Sequence, residues 1–213
     1  MSIKTPLMPR DRMILLIVRL LLWLPAVVLL LAAITDNLSV NPIQAAVQRT
    51  GLTAIILLGL SLASTPVKIF TGWPILIPLR KIFGLHSFYY AAAHMLLFVV
   101  LDYGMDINRL MADAAGKPFI IVGVAAFLIL FLLAVSSNRP AMVWLGRNWK
   151  RLHRLVYLAA PLAGLHFAWA LKGNLATLSG NILWPVVYLF IVFILLIVRI
   201  PVVRRYISAM RSE

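Results

Sequence analysis

His94 and His166 each stand inside a run of apolar residues, SFYYAAAHMLLFVV and YLAAPLAGLHFAWAL. An imidazole there can ligate a metal, relay a proton or bond a backbone carbonyl. In an apolar span it is costly to keep without such a partner. His153 enters the second run through a basic and aromatic stretch, GRNWKRLHRL, and His86 enters the first just after Gly84 and Leu85. The chain has no cysteine, which excludes disulfides, thiolate ligation and iron–sulfur clusters. Metal chemistry, if present, falls to these imidazoles.

The elements that must position them are membrane helices. Of the 213 residues, 63% are hydrophobic and the mean hydropathy is +0.99, against roughly 45–50% apolar residues in soluble domains. Apolar runs predict six spans, at about 13–34, 51–70, 85–103, 118–136, 152–171 and 182–203. The first run exceeds the ~7–15 residues of a signal-peptide core, so a retained helix is expected. Pro66 should end or bend the second span. The segment TGWPILIPLRKIFG at 71–84 reads as an interfacial loop. Residues 35–50, 104–117 and 136–151 read as connections.

The net charge of +14 does not point to nucleic acid, because the basic residues lie between apolar runs rather than on one face. With the N-terminus inside, only Arg49, Arg109, Lys117 and Lys172 fall in outer loops. Lys4, Arg10, Arg12, Lys68, Arg80, Lys81, Arg139, Arg147, Lys150, Arg151, Arg154, Arg199, Arg204, Arg205 and Arg211 fall inside. Such asymmetry in short loops sets orientation. The expected fold is therefore an all-α membrane protein, a six-transmembrane-helix bundle with both termini cytoplasmic. Residues 1–12 would be a cytoplasmic segment, 13–203 the transmembrane domain, and 204–213 a cytoplasmic tail.

Orientation assigns depth. His94 and His166 each lie about 20 Å from the inner end of their spans at ~1.5 Å per residue. They therefore share a level in the outer half, while His153 and His86 share one near the cytoplasmic face. Two imidazoles at equal depth on neighbouring helices suit axial ligation of a haem. The competing reading is a pair of structural histidines bonded to carbonyls or to each other. His153, among Trp149, Lys150, Arg151 and Arg154, is either an inner ligand or an interfacial residue. It does not share a helical face with His166 unless Pro161 and Gly164 unwind the helix between them. Arg49 is a candidate partner for a haem propionate or else a solvated charge. Arg151 and its basic neighbours would meet propionates, anionic lipid or a flavin phosphate, although topology alone explains them. The acidic outer connection with Asp102, Asp106 and Asp113 is a candidate docking patch or a by-product of topology.

Three stretches carry a resemblance: RTGLTAIILLGLSLASTPVKIF at 49–70, RKIFGLHSFYYAAAHMLLFVVLDYG at 80–104 and LGRNWKRLHRLVYLAAPLAGLHFAW at 145–169. The chain resembles the ferric-reductase-like transmembrane family, with the core at about 49–171. Within it the chain is similar to the haem-binding membrane subunits of bacterial periplasmic methionine-sulfoxide reductases. The resemblance implies haem-associated histidines at His94, His153 and His166, whereas His86 departs from the family pattern. It implies b-type haem, one or two per chain, and FMN. It further implies electrons from the quinone pool, a bacterial inner membrane, and delivery to a soluble periplasmic molybdopterin-containing reductase for repair of oxidised proteins.

No GxGxxG follows a strand and no P-loop occurs, so an electron-transfer subunit is expected rather than a complete enzyme. Two rivals stand beside it. One is a ferric or oxygen reductase membrane subunit fed by a separate flavoprotein, and the other is a haem-free scaffold or transporter.

Overall fold

A computed structural model describes residues 8–172, 175, 177 and 179–203. Lys4, Arg204, Arg205 and Arg211, the expected tail at 204–213, and residues 1–7 of the expected N-terminal segment lie outside them. The described chain is helical: α1 Pro9–Leu21, α2 Leu24–Ile34, α3 Pro42–Thr71, α4 Leu76–Leu97, α5 Ile107–Gly116, α6 Pro118–Val135, α7 Arg139–Leu145, α8 Arg147–Leu152, α9 Val156–Ala170 and α10 Leu183–Ile197. A π-helical turn, Phe98–Asp102, extends α4, and a 3-10 turn, His153–Leu155, joins α8 to α9. Four stretches are long and apolar enough to cross a membrane: Pro9–Ile34, Pro42–Thr71, Leu76–Asp102 and Pro118–Val135. Leu183–Ile197 is a shorter apolar helix. The protein is a multi-pass membrane protein.

Its core joins α3, α6, α9 and α10 through Leu58, Leu62, Leu130, Leu133, Val156, Ala159, Ala160 and Val192. Ala159 and Ala160 are fully covered, and their small side chains let backbones approach as membrane helices require. By contrast, no residue of α1 or α2 is buried. Large apolar side chains such as Leu20, Leu30, Ile121, Leu132 and Phe190 are exposed, as a lipid-facing surface demands.

Several boundaries differ from the sequence expectation. Helix α3 begins at Pro42, because Asn41 caps it by accepting from Gln44 N at 3.1 Å, and proline suits the first turn. It also runs through Pro66 to Thr71. A proline strips its helix of one bond, to the carbonyl four residues back. That carbonyl, Leu62 O, accepts instead from the Arg199 guanidinium of the segment after α10. Gly72 closes α3 in the left-handed region, φ 75°.

The expected loop at 71–84 is mostly helix, since α4 starts at Leu76. Pro78 falls in its first turn, where the missing N–H would lack an intrahelical acceptor anyway. The first span is broken at Leu22–Trp23, ahead of Pro25. There the Tyr90 hydroxyl donates to Leu22 O at 2.8 Å and accepts from Ala26 N at 3.1 Å, standing in for the helical bond between them. The connections at 104–117 and 136–151 contain α5, α7 and α8, with Asp106 and Asn138 as side-chain caps of α5 and α7.

Candidate functional site: two opposed imidazoles

Helices α4 and α9 bring His94 and His166 together. Their ring centroids are 5.9 Å apart and their planes are crossed at 82°. Each ring is fixed by a third party. His94 Nδ1 donates to Val47 O of α3 at 2.8 Å, and His166 Nδ1 donates to Phe119 O of α6 at 2.8 Å. Such a bond sets ring orientation and leaves Nε2 as the ligating nitrogen.

Glycines make the approach possible. A Cβ on Gly51 would lie 2.9 Å from His94 Nδ1, and one on Gly123 would lie 2.6 Å from His166 Nδ1. Both are closer than carbon and nitrogen can come. Each imidazole therefore lies in a cradle of a carbonyl and, one turn later on the same helix, a bare backbone.

The two cradles repeat one another. Both histidines reach back 47 residues to their carbonyl, and both glycines follow that carbonyl by four positions. The register extends along the helices. Ala54 and Leu58 of α3 are buried, as are Ala126 and Leu130 of α6. Ser64 Oγ bonds Leu60 O, and Ser136 Oγ bonds Leu132 O. Seven residues before each histidine stands a fully buried small residue, Ser87 or Ala159. Hairpins α3–α4 and α6–α9 are thus two copies of one motif, an internal repeat that the sequence reading missed. Its signal is the matched spacing of Gly51 to His94 and Gly123 to His166.

Does this site fit a haem? Metal–imidazole bonds run about 2 Å, so two in line across one metal put ring centroids about 6 Å apart. The observed 5.9 Å agrees. Among the described residues no group of three His, Asp or Glu side chains could hold a free ion. His94 and His166 would instead hold a metal that brings further ligands of its own, as a haem does. The residues present fit.

The other expected site residues lie elsewhere. His153 sits in the 3-10 turn before α9, its Nε2 3.1 Å from Ser136 Oγ and its ring 4.1 Å from that of Trp149. Trp149 Nε1 also donates to Ser136 O at 2.9 Å. No second imidazole pairs with His153 among the described ring contacts. The break between His153 and His166 comes at this 3-10 turn, while α9 continues through Pro161. Arg49 is exposed, two residues from both Val47 and Gly51, and donates to Leu38 O at 3.1 Å. Arg151 is exposed and donates to Asn148 Oδ1 at 3.5 Å. His86 is buried against Trp23 and Tyr89, well away from His94.

Beside α5, Asp113 Oδ2 accepts from Lys117 Nζ at 2.7 Å and from the Tyr103 hydroxyl at 2.7 Å. Lys117 first, then Tyr103, holds the Asp113 carboxyl below the usual carboxylate range. Lys117 is raised in turn, chiefly by its bond to Asp113.

Fold and site together define a class: multi-pass helical membrane proteins with two partly buried imidazoles held close together. A family model described as ferric reductase like transmembrane component matches residues 50–164, a range that includes His94 and both cradle glycines and ends two residues before His166. The chain is similar to three proteins named protein-methionine-sulfoxide reductase heme-binding subunit MsrQ. That of Herminiimonas arsenicoxydans is 37% identical over 81% of this chain and 77% of its own length. That of Ralstonia nicotianae is 38% identical over 74% and 75%, and that of Bordetella pertussis 40% identical over 65% and 68%. The chain belongs to the ferric-reductase-like transmembrane family, in its MsrQ branch.

Proposed function

We propose that the chain is a transmembrane b-type cytochrome of the bacterial inner membrane. It passes electrons from the quinone pool, or an inner-side flavin, to a soluble periplasmic molybdopterin-containing methionine-sulfoxide reductase subunit for repair of oxidised proteins. The observation that carries this reading is the opposed pair His94 and His166, each anchored through Nδ1 and cradled by a glycine. Haem supplies the one-electron chemistry when bound. The protein's part is to present two fixed, partly buried imidazoles, which sets ligand identity and burial. Arg49, on the same face of the membrane as the pair, serves a propionate.

The proposed topology is six spans with both termini cytoplasmic. Helix α9, with the helical turns from Arg147 onward, forms the fifth span, and α10 the sixth. The core at 49–171 is the haem-binding unit. His153 and Arg151 lie at the inner end. The engagement of His153 by Ser136, with no facing imidazole, favours a single bis-imidazole haem over a matched pair of them.

The visible spectrum of the purified protein tests the reading. A low-spin bis-imidazole absorbance is expected, and a colourless, well-folded preparation would overturn it. Reduction of that haem by a quinol in membrane vesicles tests the donor.

A further inference from the structure

An open cleft lies apart from the opposed imidazoles, between α1–α2 and the first half of α4. It offers about 460 Å³ and is lined by Arg19, Trp23, Lys81, Ile82, His86 and Tyr89 among others. Its floor holds an anomaly. His86 is 4% exposed, and its Nδ1 donates to Ile82 O at 2.8 Å. Its Nε2 is buried and has no hydrogen-bond partner. A buried polar atom left unpaired costs about 1–3 kcal/mol, and in a native interior such an atom calls for a missing partner. With the ring hydrogen committed to Ile82 O, Nε2 is an acceptor. The missing partner is a donor.

The surroundings describe the rest of that partner. Trp23 stacks on Tyr89 at 6.1 Å and 13°, and both rings stand edge-on to His86 at 5.6 Å. This aromatic wall is positioned rather than incidental. The Tyr90 hydroxyl wedged into the break at Leu22–Trp23 fixes where Trp23 falls. The covering segment, α1–α2, buries no residue, so a ligand arriving through the lipid displaces little packing to enter. A flat ring with an O–H donor, soluble in the bilayer, fits these three features.

We propose that this cleft binds a hydroquinone headgroup, with one phenolic O–H donating to His86 Nε2 and the ring against Trp23 and Tyr89. Arg19 and Lys81 are both exposed at the cleft and serve its solvent edge. A flavin mononucleotide would set its phosphate on those same two cations, and the titrations below tell the two ligands apart. His86 lies eight residues before His94 on α4, about 12 Å along the helix, so the headgroup sits on the element that carries one of the opposed imidazoles. This assignment rests on the quinol-fed reading above and names where the quinol docks.

The test uses the full chain in lipid nanodiscs, with quinol titrated into reduced protein and quinone into oxidised protein so that neither titration transfers electrons. Titration calorimetry compares duroquinol with duroquinone, which has the same ring without the O–H donors. Wild type should bind the quinol ~10-fold more tightly, the order of one buried hydrogen bond. His86→Leu should abolish that preference, His86→Gln, which restores an acceptor, should recover part of it, and Trp23→Leu should weaken both forms. Equal wild-type affinity for the two forms overturns the proposal, as does a preference untouched in His86→Leu. FMN binding that is lost in Lys81→Gln, with no quinol binding, also overturns it and gives the cleft to a flavin. The haem absorbance of the same wild-type preparation reports separately on the electron-conduit reading. A coloured, quinol-reducible protein whose quinol affinity ignores His86 sinks this site alone.

Discussion

Hairpins α3–α4 and α6–α9 are alike at one end and unlike at the other. At the end carrying His94 and His166 they match residue for residue: carbonyl, glycine one turn on, imidazole 43 positions later. Thirteen residues earlier on the ligand helices, the first hairpin has Lys81 where the second has His153. Likewise α6 stops at Val135, whereas α3 continues past the matching position through Pro66 to Thr71. A site that needs two equal contributions sits where the copies agree. Where they diverge, each copy has taken up separate work: His86 and Lys81 at a cleft, His153 against Ser136 and Trp149.

The comparison can be broken in several ways. The largest effect is expected at the paired imidazoles. His94→Ala and His166→Ala should each abolish the low-spin bis-imidazole absorbance, and to the same degree. Full absorbance in either variant would end the two-fold reading.

Next come the cradles. Gly51→Ala and Gly123→Ala each force a methyl into an imidazole, and overpacking of this kind costs about 1–3 kcal/mol. Because the added Cβ would meet His166 more closely than His94, haem retention should fall further in Gly123→Ala. Haem-to-protein ratio after size-exclusion chromatography measures this, and the reverse order would count against the cradles.

Arg199→Leu removes the donor to Leu62 O and should destabilise by about 1–3 kcal/mol, read as a lower thermal midpoint. Pro66→Ala in that background restores the helical bond and should recover part of the loss. No recovery would mean that Arg199 acts some other way.

His153→Ala sharpens the contrast between the two ends, since absorbance from the outer pair should stay whole. Its complete loss would show that both levels depend on one another.

The smallest effect belongs to Asp113. Its carboxyl is held below the usual range, so its bonds to Lys117 and Tyr103 are present at neutral pH and fade as pH falls through that lowered value. Protection of the α5 amides, relative to their intrinsic exchange rate, should fall only on acidification, and Asp113→Asn should flatten the response.

The closeness of His94 and His166 was legible in the sequence, where span order puts the two at one depth. But depth does not choose neighbours: the same reckoning put His153 and His86 on one level, and those two have other partners. The anchors of His94 and His166 were not legible. Any backbone carbonyl can accept from Nδ1, so Val47 and Phe119 carry no mark in their side chains. The run through Pro66 was illegible for a different reason: its remedy, Arg199, lies 137 residues away. The start of α4 inside 71–84 was hidden by Pro78, a residue that breaks helix interiors but is harmless in a first turn. His86 read only as a departure from the family pattern, because no local signal reveals that its second nitrogen is unpaired.

The long-range contact between Arg199 and Leu62 also bears on how the molecule is made. During synthesis, α3 enters the bilayer with a proline-severed backbone and a bare carbonyl facing hydrocarbon, a state that costs several kcal/mol. Relief comes only when α10 has been threaded and Arg199 behind it arrives. A helix laid down early is thus completed by a side chain made 137 residues later.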